Sequence, residues 1–108
     1  MSKVYDITSK IELEKPVVKI GEKVFEVNDD FKVVMSAQSA VGKESDQTKV
    51  FDTVFTKLLG EKQAKELDEM HLSAGNVKTV FLAVMAAATG EELETVEARF
   101  QQQIKAIK

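Results

Sequence analysis

The sequence predicts a mainly α fold: an N-terminal β-hairpin followed by about five packed helices, an α+β arrangement with a small sheet. Three observations carry this. Alternating apolar residues flank a Gly-Glu pair near the N-terminus. Apolar residues recur at helical spacing from residue 50 onward. From Val80 to Ala88 the chain is apolar without interruption, and a helix apolar all round must be covered on every side. With 108 residues and no cysteine, the chain reads as one domain, 1–108, with a hairpin region at 1–27 and a helical region at 28–108. That length supports a hydrophobic core without metal or disulfide staples.

The hairpin is the most sharply specified element. Ile11 and Leu13 alternate with Glu12 and Glu14. Val17 to Val27 folds about Gly21-Glu22, where glycine supplies the positive φ of a two-residue turn. This register sets Val18 opposite Phe25 and Ile20 opposite Lys23, so Val18, Ile20, Phe25 and Val27 share one face. An isolated hairpin is marginal in water, so that face must dock on helices, or the hairpin must extend a sheet through its edges.

Asn28, Asp29 and Asp30 offer caps for a first helix with apolar positions Phe31, Val34, Met35 and Val41, stopped near Gly42. The second helix carries the stripe Val50, Phe51, Val54, Phe55, Leu58 and Leu59 and ends at Gly60. Burying those six side chains contributes roughly 10–15 kcal/mol before entropy. A short third helix, Glu61 to Met70, turns Ala64, Leu67 and Met70 inward. Ser73, Gly75 and Asn76 make a break and a cap before the apolar fourth helix, Val77 to Thr89, which Gly90 stops. The last helix begins acidic and ends basic, matching its dipole. Its seam is Leu93, Val96, Phe100, Ile104 and Ile107.

Several chemistries are poorly served by these residues. The net charge is −3 with no basic cluster, which argues against nucleic acid. The N-terminus is too charged for a signal peptide and the apolar run too short for a bilayer, so a cytoplasmic location is expected. His71, the single histidine, sits at a helix end with no orienting partner evident in the sequence. Gly42-Lys43 lacks the upstream glycine and following Ser or Thr of a phosphate loop, since Ala37 and Glu44 stand there. The carboxylates from Glu91 to Glu97 suit a helix N-terminus better than a metal. Met70 to Val84 has helix-turn-helix spacing, but its second helix presents a single Lys78 where bases and phosphates need polar contacts. No catalytic, cofactor-binding or metal residue is expected.

The stretch LLGEKQAKELDEMHLSAGNVKTVFLAVMAAATGEELETVEARF resembles the tail assembly chaperones of siphophages of Gram-positive bacteria. The likeness lies in an L-G-E-x-x-A-x-x-L-x-E segment ending L-S, here Leu59 to Ser73. An apolar helix follows, then G-E-x-L-E-x-x-E-x-R-F, here Gly90 to Phe100. Residues 1–45 match more loosely, and Ala74-Gly75 departs from the aromatic or acidic residue usual after the serine. The resemblance implies a non-enzymatic protein that binds the long, aggregation-prone tape measure protein and keeps it soluble during tail morphogenesis. Further partners implied are the tail tube protein, a frameshifted longer form and copies of itself. A groove that accepts amphipathic helices is expected at Phe51, Phe55, Leu58, Phe81, Val84 and Met85, with self-association through Phe100, Ile104 and Ile107. The alternative is a self-assembling structural or connector component of a phage or prophage particle.

Overall fold

The computed structural model describes residues 3–11, 14–43 and 45–99. A 3-10 turn at Thr8–Lys10 precedes the two-stranded antiparallel sheet of β1 (Val17–Ile20) and β2 (Lys23–Glu26). Helices α1 (Phe31–Lys43), α2 (Gln47–Asp68) and α3 (Ala74–Thr89) follow, and residues 93–99 form a further helical stretch, α4. The expected helical fold with a small sheet is present. The helix count is slightly below the five expected, because the second and third predicted helices run on as one element, α2, with the expected break between them at Gly60.

The sheet has the expected register, Val18 opposite Phe25 and Ile20 opposite Lys23. Gly21 takes φ 62° in the turn. Phe25 and Val27 are buried, and Val18 and Ile20 pack against the same core. The hairpin's apolar face is therefore docked on the helices, as its marginal stability in isolation requires.

Within α2 the two predicted helices meet at a kink, and the kink is Gly60. It takes φ 83° and ψ 158° in the middle of the helix, a region open in practice only to glycine. The break diverts the carbonyls that would accept from the next turn. Leu58 O accepts instead from the Asn28 N–H at 2.7 Å, and Leu59 O accepts from the Gln63 carboxamide at 2.8 Å. The same carboxamide clasps the backbone of β2: Gln63 Nε2 donates to Glu26 O at 2.8 Å, and its Oε1 accepts from Glu26 N at 3.0 Å. Gly60 thus punctuates the helix as expected, but its larger consequence is a seat for the hairpin.

Caps account for the other boundaries. Asp30 Oδ1 accepts from Lys32 N and Val33 N, and Asp46 caps Thr48 N. Ser73 Oγ accepts from Asn76 N at 3.2 Å, so α3 starts at Ala74 rather than Val77. Gly90 closes it at φ 75°, with the Glu91 N–H reaching back to Ala86 O at 3.1 Å. Such a six-to-one bond is the Schellman pattern.

The α1 reading needs correction. Val34 and Ala37 are its buried residues, with Val33 packed beside them, while Phe31, Met35 and Val41 are exposed. The small Ala37 permits close approach to α2, and the larger apolar residues lie outside that contact. On α3, by contrast, every residue from Val80 to Thr89 is at least partly buried. The chain covers its own apolar helix. Among the described residues the buried side chains are all apolar. Leu93 and Val96 belong to the expected last helix and Val96 is buried; Phe100, Ile104 and Ile107 lie outside the described residues, as do Glu12 and Leu13.

A Cβ built at Gly60 or at Gly42 meets nothing within 4 Å, yet only Gly60 has a positive φ. Gly60→Ala is therefore expected to lower the unfolding free energy by about 1–3 kcal/mol through backbone strain alone. Gly42→Ala, in ordinary helical geometry, is expected to raise it by about 0.4–1 kcal/mol. Urea denaturation of the two variants checks this opposition in sign.

Candidate functional site: two apolar grooves divided by Phe51

Two concavities flank the first half of α2. The larger, about 1070 Å³, follows α2 across its break and reaches the first turn of α3. Its apolar lining includes Phe51, Phe55, Ala64, Leu67, Leu72 and Val77, and its charged lining is Asp52, Glu61, Lys65, Asp68 and Lys78. The smaller, about 440 Å³, lies among α1, α2, α3 and α4, with Val41, Val50, Phe51, Phe81, Leu82, Met85 and Val96 in its wall. Phe51 lines both.

That position follows from the α2 stripe. Phe51 and Phe55 are one helical turn apart, and both meet Phe81 of α3. The Phe51 and Phe81 ring centroids are 4.6 Å apart, and Phe55 sits 6.2 Å from each. Spacings of this kind are favourable for tilted and edge-on aromatic pairs. Phe55 and Phe81 are buried in this cluster, whereas Phe51 keeps partial exposure. The wall between the grooves is therefore the first turn of α2, where Gln47 and the partly exposed Phe51 ring line both sides.

The six groove residues expected from the sequence divide by depth. Phe51 and Met85 line groove surface and are partly exposed. Phe55 and Phe81 line it with little exposed area. Leu58 and Val84 are both 0% exposed and belong to the core, where they hold α2 and α3 together. Leu72 and Val77 were not in the expected set. Val77 belongs to the apolar pattern of α3, but Leu72 reaches the groove through the loop conformation after α2. There His71 takes φ 50°, a left-handed step in which His is among the tolerated residues, and its N–H bonds Asp68 O at 3.1 Å. His71 is exposed at the rim of the larger groove.

One end of the smaller groove is closed by charge. Arg99 of α4 grips the Glu91 carboxylate with both terminal guanidinium nitrogens, and Thr89 Oγ1 donates to the same carboxylate at 3.0 Å. The Arg99 hydrogen bond, then that of Thr89, holds the Glu91 carboxyl below its ordinary value of 4.5. Among the described residues no group of three or more His, Cys, Asp or Glu is placed to hold a metal ion, and no helix is long and apolar enough to cross a membrane. No known family, curated protein or solved structure matches the chain.

The depressed value for Glu91 fixes the sign of its pH dependence. Any stability the pair contributes is complete above pH 4.5 and is lost as the pH falls through the lowered folded-state value. Arg99→Gln is expected to move the Glu91 titration up toward 4.5 in a carboxyl-detected NMR titration. A Glu91 titration unchanged by that substitution would show that the ion pair does not set it.

Proposed function

We propose that the chain is a phage tail assembly chaperone that binds the tape measure protein and keeps it soluble during tail morphogenesis. The observation that carries this reading is the larger groove. Its apolar wall, edged by charges of both signs and supported by α2 and α3, has the form in which an amphipathic helix is gripped by its apolar face. The volume accommodates several large side chains at successive helical turns. Phe51 offers a rigid aromatic contact, and the adaptable Met85 serves the neighbouring groove. Of the two segments whose pattern resembles that family, Leu59–Ser73 and the described part of the second, Gly90–Arg99, border these grooves or hold their helices in place.

On this reading Phe51, Phe55 and Phe81 form the contact surface, Met85 extends it, and Leu58 and Val84 act from beneath by fixing the spacing of α2 and α3. The protein works without catalysis or cofactor in the bacterial cytoplasm, with tail tube protein, a frameshifted form and copies of itself as further partners. A second reading is a self-assembling component of a phage or prophage particle. The exposed apolar residues Val4, Tyr5 and Ile7, which line neither groove, favour it. Stoichiometric presence in purified particles would select this second reading.

Co-expression with a tape measure protein tests the chaperone. Phe51→Ser and Leu72→Ser each remove partly exposed groove surface and leave the fully buried core unaltered. Both are expected to keep a cooperative thermal transition and to lower the soluble fraction of the tape measure protein several-fold. Folded variants that solubilise it as well as the parent chain would exclude the groove as its binding site.

A further inference from the structure

The N-terminal segment is apolar but unburied. Val4 is 85% exposed, Tyr5 74% and Ile7 53%, and every residue described from Lys3 to Ile11 is exposed. The hydrogen bonds described for this arm are internal: Asp6 Oδ1 accepts from the N–H and the hydroxyl of Thr8, and Lys10 and Ile11 close the 3-10 turn. Lys3 Nζ lies 5.3 Å from the Tyr5 ring centroid, an i, i+2 contact of the kind made along one face of an extended chain. Val, Tyr and Ile in so short a stretch are strand formers.

The sheet has an edge to match. Val27 N donates to Pro16 O, so residues 16, 18 and 20 of the first strand turn their polar groups toward β2, and Val17 and Lys19 turn theirs outward. No hydrogen bond from the described residues reaches those outward groups. The opposite edge is different, because Gln63 occupies both backbone groups of Glu26. One edge of the hairpin is thus sealed by a side chain, and the other is left unpaired by the described residues.

We propose that residues 3–7 of one copy add as a strand to the open β1 edge of a second copy, reciprocally, closing a two-fold dimer. The pairing that suits both faces puts Tyr5 and Ile7 beside Val18 and Ile20, extending the apolar face. It puts Val4 and Asp6 beside Val17 and Lys19, where Asp6 and Lys19 are of opposite charge. With the 3-10 turn at Thr8–Lys10 kept, the linker from 8 to 16 reaches at most about 25 Å, enough to cross into an adjoining copy. Two such arms with the edges they cover bury on the order of 1,000 Å², the threshold of a specific interface. The surface is separate from the grooves, so the dimer stands or falls independently of the chaperone reading.

The test is the mass of the intact chain by light scattering after size exclusion, at concentrations up to about 100 μM, a range in which weak specific dimers are populated. The parent chain is expected to be a dimer. Tyr5→Asp disables the arm, and Lys19→Pro removes an outward N–H without touching the ladder to β2; each alone is expected to give a monomer. Mixed together, they retain one intact arm and one intact edge, and a heterodimer at reduced affinity is expected. A monomeric parent chain overturns the proposal, and so does a dimer that survives Tyr5→Asp. Tyr5 makes no described contact with the core, so that variant separates association from folding, and circular dichroism identical to the parent confirms it.

Discussion

The structure depends on a single interruption. Gly60 breaks α2 where an unbroken helix would have satisfied its own carbonyls, and the groups released are taken up by another part of the chain. Leu58 O receives Asn28, and Leu59 O receives Gln63, whose carboxamide also holds both backbone groups of Glu26. A two-stranded hairpin has little stability of its own. Here it gains polar anchorage at the break and apolar cover for Phe25 and Val27. The break also bends α2 along the larger groove, which runs from Gln47 to Asp68 on that helix. Hairpin docking and groove shape therefore share one cause.

What could be read from residues alone was whatever local chemistry decides. The hairpin register followed from a two-residue turn and a period of two. The α2 stripe followed from a period of 3.6, and its inward face matches the buried Val50, Val54, Phe55, Leu58 and Leu59. Gly90 was legible because a C-terminal glycine has a specific geometric use. What remained hidden was settled by partners distant in sequence. Val34 was read correctly, but Ala37, rather than Phe31, Met35 or Val41, is the other residue buried on α1, because the closeness of α2 selects a small residue there, and spacing does not disclose how near the neighbour stands. Gln63 carried no signal, since a glutamine on a helix ordinarily faces water.

The candidate site shows the same division. The aromatic trio was found from spacing, because two residues on one helix face and one on an apolar neighbour had to meet. Depth was not found, because it depends on how far α2 and α3 close upon each other. Leu58 and Val84 are drawn wholly inside, while Phe51 is left as the divider of two concavities with different walls. The apolar surface of α3 is covered within the chain, and among the described residues the exposed large apolar side chains lie instead on the arm, the outer face of the hairpin, α1 and, at Leu93, α4.

An interior made only of Val, Ala, Leu and Phe has a consequence for how this sequence changes over time. Volume-conserving exchanges among such residues cost little, so long as total volume and patterning are kept. With no buried polar contact among the described residues to preserve, the core places almost no veto on substitution. The vetoes sit at Gly60, Gly90 and Gln63, where geometry or a paired directional bond is hard to replace, and at Ser73, where only the few capping residues serve. A fold built this way drifts quickly in its bulk and slowly in its punctuation, so distant copies would share their caps and breaks long after their cores had ceased to align.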